Sequence, residues 1–190
     1  MIIPLEIYQE YMNLLSVVHS KIMAVRVDMK NASQRKVWGR AVAAYDCLDD
    51  AIEAIMEFDS LDKRKYNARR PILYYYGILQ ALTTQVEALK QLQLFFYGEH
   101  KYQSDIETER IIGIRNDIVH SCDKKGKESC FIAKAGNMNI DTLWYGLYDN
   151  NGCFSESMVN LSEISFSHLK RICQQLKELS NVPQNQLYIK

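Results

Sequence analysis

The sequence predicts a mainly α-helical fold, an antiparallel bundle of four to five long helices with a small β-hairpin insertion after the fourth. Over most of the chain apolar residues recur at steps of three and four, the spacing of helices with one buried stripe. Between residues 128 and 160 this spacing gives way to β-branched and aromatic residues bounded by Gly and Asn. With 190 residues, 47% of them hydrophobic, and only 3 Pro, the chain is expected to fold as one domain, 1–190.

The first two helices are predicted from the spacing of their apolar residues. The first extends from Tyr8 to Met29, with buried positions expected at each step of three or four. The run Asn31-Ala32-Ser33 then supplies a break and an N-cap for the next helix. The same spacing continues from Trp38 to Ile55, and it predicts a second helix that ends near Asp59.

A third helix is predicted from Ile72 to Tyr97, and Gly98 is expected to close it. Pro71 suits the first turn of this helix, because a proline there removes no helical hydrogen bond. Glu87 is its only acidic residue, and Lys90 three positions further on predicts a surface ion pair between the two.

The remaining elements follow from similar patterns. A fourth helix is predicted from Asp105 to about Cys122. The segments Cys130–Lys134 and Thr142–Tyr148 predict the two strands of the hairpin, within an excursion that spans residues 128–160. Helical spacing returns at Ser162, and Pro183 is expected to end the fifth helix, with a loose C-terminal tail from residue 183.

Composition excludes several classes of function. The 23 basic and 23 acidic residues balance, so any nucleic-acid binding must be local. The 5 cysteines are scattered without a Cys-x-x-Cys pair, which argues against a disulfide framework and a zinc site and favours a cytoplasmic location. The first residues do not form a secretory signal, and no apolar run approaches the roughly 20 residues of a membrane span. No cofactor or metal is expected, since the other histidines lack partners at ligand spacing.

The segment Ile114-Arg-Asn-Asp-Ile-Val-His-Ser121 resembles the HEPN superfamily. Ribonucleases of this superfamily carry an Arg, often followed by Asn or Asp, with a His four to six residues beyond, near the end of a late helix in the bundle. Here Arg115, Asn116 and His120 match that pattern. The resemblance implies a metal-independent endoribonuclease of the kind found among toxins and antiviral defence factors, with RNA as substrate and, for a toxin, a neutralising partner protein.

The resemblance also implies a homodimer in which both copies of the motif line one groove. At roughly 100° per residue, Asn116 and His120 point the same way, whereas Arg115 lies about 140° from His120. One helix therefore does not bring Arg115 and His120 together easily, and a second copy would. Ile112 and Val119, on the flank beside Arg115, are the expected dimer contacts.

The residue types suit cleavage of RNA without a metal. His120 is expected to take the proton of the 2′-OH, and Arg115 to stabilise charge that develops on the phosphate. Asn116 would orient His120 or bind phosphate. The expected product is a 2′,3′-cyclic phosphate, and DNA should resist because it lacks the 2′-OH.

Other interpretations of the same residues stay open. A basic set with Tyr66 beside it would guide the RNA backbone, or would simply be solvated. Its members are Lys63, Arg64, Lys65, Arg69, Arg70, Lys124 and Lys125. Arg115 would otherwise pair with an acid such as Glu87, with His120 ending its helix. The alternative function is a non-catalytic HEPN-like module that dimerises or binds a nucleotide or a partner protein.

Overall fold

The computed structural model describes residues 3–61, 71–99, 101, 106–119, 129–132, 141–148 and 151–187. The helices are α1 (Leu5–Met23), α2 (Ala32–Ser60), α3 (Pro71–Tyr97), α4 (Ile106–Val119) and α5 (Leu161–Asn181), and the strands are β1 (Ser129–Ile132), β2 (Thr142–Tyr148) and β3 (Phe154–Asn160). The predicted class, a mainly α bundle with a small antiparallel β element after the fourth helix, is confirmed.

The helix at the centre of the bundle is α3. It packs most extensively against α2, and it also contacts α4 and α5, while α1 packs against α5 and α2. The sequence explains this position, because α3 carries only two charged residues, Glu87 and Lys90, along 27 residues. A helix that is apolar on most of its surface must be covered by neighbours on several sides.

Polar side chains and one glycine fix several helix ends where the sequence predicts them. Asn31 caps α2, since its Oδ1 accepts from the backbone N–H groups of Ser33 at 3.0 Å and Gln34 at 3.2 Å. Asn160 caps α5 in the same way, although the sequence signal there was not read as a cap. Gly98 ends α3 with a φ of 77°, the left-handed conformation that favours glycine.

The first helix ends six residues earlier than its apolar spacing predicts, at Met23 instead of Met29. The backbone N–H of Lys30 donates to Oδ1 of Asp28 at 2.9 Å, a local turn that competes with helix geometry. Val25 still packs partly against the core, but Met29 is 61% exposed. The apolar spacing therefore continues past the end of the helix, although the residues there do not form a buried helical face.

The β element is a three-stranded antiparallel sheet in the order β1-β2-β3, larger than the predicted hairpin. The strand β2 falls on the predicted residues, and it pairs with β3 from Tyr148↔Phe154 to Thr142↔Asn160. The sequence does not single out β3 because it is polar and mostly exposed, with Val159 as its only buried residue. Lys134 lies outside the described residues.

A short 3-10 turn, Gln184–Gln186, follows α5, and Leu187 packs partly against the core. Nε2 of Gln184 donates to the carbonyl of Lys21 at 3.1 Å, and Nζ of Lys21 donates to the carbonyl of Val182. These contacts tie the chain beyond α5 to the end of α1. Whether the tail from residue 183 is loose in solution stays a prediction.

A buried polar link joins three helices of the bundle. The hydroxyl of Tyr11 in α1 donates to the carbonyl of Leu48 in α2 at 2.9 Å and accepts from Nε2 of Gln85 in α3 at 2.9 Å. Burial raises the pKa of Tyr11, so the hydroxyl keeps the proton that it donates. The buried amide nitrogen of Gln85 therefore depends on this one oxygen atom, whereas the carbonyl of Leu48 also accepts the helical hydrogen bond within α2.

Tyr11→Phe is expected to lower the free energy of unfolding by about 1–3 kcal/mol, because it leaves the buried Nε2 of Gln85 without its acceptor. Tyr8→Phe is the matched control, since the Tyr8 hydroxyl is buried with no hydrogen-bond partner among the described residues. That second variant should be as stable as the parent. Urea unfolding measures both, and equal stability of the two variants would contradict the role given to the link.

Candidate functional site: a groove beside the Arg115 motif

Two neutral amides orient the guanidinium of Arg115 at the surface of the bundle. Nε and one terminal nitrogen donate to Oε1 of Gln80 in α3 at 3.3 and 3.1 Å, and the other terminal nitrogen donates to Oδ1 of Asn116 at 2.9 Å. Nε2 of Gln80 in turn donates to Oγ1 of Thr84 at 3.2 Å, which fixes the amide. Both of these acceptors are neutral amide oxygens, and they fix the direction of the guanidinium.

Arg115 lies on one wall of an open groove of about 770 Å³. The central helix α3 forms the floor, since it packs against both α2 and α4, and those helices form the two walls. The lining residues are Arg40, Ala43, Ala44 and Cys47 from α2, Gln80, Thr83, Thr84, Glu87, Ala88 and Gln91 from α3, and Ile112, Arg115 and Asn116 from α4. This volume is within the range of sites that bind small molecules.

Small side chains on the α2 wall leave the groove open. Ala43 and Cys47 are exposed there, four positions apart and so on one face of the helix, and Cys47 is a free thiol. Thr83 and Thr84 on the floor add hydroxyl groups, and Gln91 adds a further amide. The groove therefore combines hydrogen-bonding groups with apolar surface from its alanines and Ile112.

The acidic residue of the groove has a cationic partner. The carboxylate of Glu87 accepts from Nζ of Lys90 at 2.7 Å, which confirms the ion pair predicted from their spacing. The alternative in which Glu87 serves as the carboxylate partner of Arg115 receives no support from this contact. With Glu87 engaged in this way, Arg40 and Arg115 give the groove a positive character.

Several predicted site residues lie outside the described residues. These are His120 of the motif, Tyr66, and the whole basic set of Lys63, Arg64, Lys65, Arg69, Arg70, Lys124 and Lys125. Their assigned roles stay predictions. Of the residues proposed for the dimer contact, Ile112 is half-buried and lines the groove, and the side chain of Val119 lies outside the described part of the chain, so the dimer contact stays a prediction.

The histidines of the described ranges are elsewhere in the fold. His19 stacks on Tyr45 with ring centroids 4.2 Å apart, and His168 is buried in α5. Over the same ranges, no group of three or more His, Cys, Asp or Glu residues is arranged to hold a metal ion. Of the helices that the structure describes, none is both long and apolar enough to cross a membrane.

The sequence interpretation missed most of the groove because its residues come from three helices. Arg40 stands alone among small residues, and Gln80, Thr84 and Gln91 are neutral polar residues with no motif of their own. One signal was available: polar residues at steps of three and four on α3, an otherwise apolar helix, mark a face that neighbouring helices leave open. Comparison of the chain with protein-family models, curated proteins and solved structures found no match.

Proposed function

We propose that this protein is a metal-independent endoribonuclease of HEPN type that acts as a homodimer, as a toxin or an antiviral defence factor. The observation that carries the proposal is the position of Arg115. Its guanidinium is oriented by two neutral amides at the edge of an open groove that has room for a nucleotide. Such a group is suited to bind a phosphate, because its planar donors match phosphate oxygens.

The proposed reaction needs only groups of the chain and its substrate. His120 takes the proton of the ribose 2′-OH, and the 2′-oxygen attacks the adjacent phosphorus. The bond from phosphorus to the 5′-oxygen breaks, and that oxygen takes up the proton that His120 has accepted, directly or through water. Arg115 stabilises the negative charge that grows on the phosphate oxygens, and Asn116 holds Arg115 while its amide nitrogen is available to substrate. The products are a 2′,3′-cyclic phosphate and a 5′-hydroxyl.

A second copy of the chain completes the site in this proposal. Arg115 and His120 diverge on one helix, and a two-fold axis near both α4 helices would bring two copies of the motif to one groove. Ile112, which lines the groove, supplies apolar contact between the copies. The RNA substrate and a neutralising partner protein, for a toxin, complete the proposed set of partners.

The purified protein is expected to cleave mixed RNA in the presence of a chelator and to leave DNA of the same sequence intact. Fragments that end in a 2′,3′-cyclic phosphate identify the mechanism. Light scattering on the same preparation should give the mass of a dimer. Strict dependence on a divalent ion would contradict the mechanism, and a monomer at working concentration would contradict the shared site.

The volume and polarity of the groove also favour one alternative, a non-catalytic module that binds a nucleotide. Intact RNA in the assay above, together with saturable binding of a mononucleotide, would replace the nuclease by this function. Arg115→Ala separates the two outcomes in a second way. It should abolish cleavage in the enzyme, whereas in the binding module it would only weaken nucleotide binding.

A further inference from the structure

A second arginine faces the groove from the wall opposite to Arg115. Arg40 is exposed on α2 and lines the groove. In the part of the chain that the structure describes, no hydrogen bond or ion pair engages its guanidinium. The charge of Arg40 is therefore available to a ligand, in contrast to the oriented guanidinium of Arg115.

The two arginines lie toward opposite ends of the groove. Because α3 begins eleven positions after α2 ends and packs extensively along it, the two helices run antiparallel. The first part of α2 then lies beside the last part of α3, so that Arg40 is nearer to Gln91 than to Gln80. Gln80, by contrast, accepts directly from Arg115. Gln80 and Gln91 both line the groove and are 11 positions apart on α3. At 1.5 Å per residue this is about 16 Å.

A length of about 16 Å is several times the roughly 3.4 Å axial step between phosphates of a stacked nucleic-acid strand. A strand that has its cleaved phosphate at Arg115 would therefore carry a different phosphate to Arg40. No aromatic side chain of the described residues lines the groove, so base stacking does not explain binding there. Contacts to the backbone and hydrogen bonds to amides and hydroxyls are what this surface offers.

We propose that Arg40 is a substrate-binding residue that holds a backbone phosphate of single-stranded RNA, at the end of the groove away from the cleaved bond. The proposal rests on the proposed function for the identity of the ligand. A single strand fits because its flexible backbone can follow the groove from Arg115 to Arg40, whereas the phosphates of an A-form duplex are fixed around a wide helix. Arg40 thereby sets the direction in which the strand extends from Arg115.

The test measures binding and cleavage separately. Binding uses a single-stranded RNA with 2′-O-methyl groups, which cannot attack the phosphate, titrated over a range of salt concentrations. Arg40→Ala should weaken binding roughly tenfold and reduce the slope of log K against log salt by about 0.7. With cleavable RNA, KM should rise while kcat stays at the parental value.

Two variants serve as controls. Arg40→Lys keeps the positive charge and should retain most of the salt dependence. Arg26→Ala removes an exposed arginine that does not line the groove, and it should bind RNA as the parent does. Unchanged binding by Arg40→Ala, a loss equal to that of Arg26→Ala, or equally tight Arg40-dependent binding of duplex RNA would each overturn the proposal.

The design also distinguishes this proposal from the proposed function. A parent protein that binds the 2′-O-methyl RNA in an Arg40-dependent manner but cleaves no RNA would contradict the nuclease and support the phosphate contact. A parent protein that cleaves RNA, with an Arg40→Ala variant of unchanged KM and affinity, would support the nuclease and overturn the phosphate contact.

Discussion

In the proposed nuclease, His120→Ala is expected to lower the rate of RNA cleavage by about 10² to 10⁴, the range over which a positioned acid–base group contributes. The reason is chemical: without the imidazole, no other group of the Arg-Asn-x-x-x-His motif can take the proton of the 2′-OH near neutral pH. The measurement is kcat on a defined RNA in chelator, with dimer mass and thermal unfolding followed in parallel. The variant should remain dimeric and melt with the parent.

Arg115→Ala should show a comparable loss of kcat, because in the proposed mechanism it removes the cation that stabilises the phosphate in the transition state. His19→Ala is the control for the loss of a histidine, since His19 stacks on Tyr45 away from the groove, and it should retain the parental rate. Parental cleavage by His120→Ala would rule out its assigned role. If the two motif variants lost activity only because they unfold, the melting curves would show it.

The second large effect concerns stability in acid. His168 is buried, 4% exposed, and neither ring nitrogen has a hydrogen-bond partner among the described residues. Burial lowers the pKa of His168 from 6.5 to about 4. Between these two values the unfolded chain binds a proton that the folded chain does not, so folding stability falls as the pH falls. The loss amounts to about 3 kcal/mol from pH 7 to pH 4.

His168→Leu should remove this part of the acid sensitivity, because leucine has no proton to bind. Urea unfolding is measured at pH 7, 5.5 and 4. From pH 7 to pH 4 the free energy of unfolding of the parent should fall by about 3 kcal/mol more than that of the variant. Ser167→Ala, at the exposed neighbouring position, is the control, and its free energy of unfolding should fall as much as that of the parent. Equal losses in the parent and His168→Leu would mean that the buried ring is already protonated, or reaches water, in the folded state.

Those parts of the fold that depend on local chemistry could be predicted from the sequence. Asn31 and Gly98 fix helix ends through a side-chain cap and a positive φ, and both signals act over a few residues. The end of α1 and the strand β3 could not be predicted in the same way. The apolar pattern continues beyond Met23, where the helix has already ended, and β3 owes its structure to pairing with β2 rather than to its own polar sequence.

The residues of the candidate site also fall into two groups, those that the sequence predicts and those that it does not. Arg115, Asn116 and His120 form a motif within six residues and are visible in the sequence. Gln80 and Arg40 line the same groove as Arg115 only because α3 packs against α2 and α4. No sequence pattern near either residue predicts this. A single sequence therefore does not predict the residues that other helices contribute to a site, even where the motif itself can be recognised.

The contact between Gln80 and Arg115 has a consequence for how a ligand is bound. A free arginine side chain loses rotational entropy when it binds a phosphate. This loss costs about 2 kcal/mol at most, and it weakens the complex. In this protein Gln80 belongs to α3, the helix held by neighbours on several sides. Arg115 is therefore ordered when the protein folds, so that binding of the proposed phosphate ligand would cost less of this entropy.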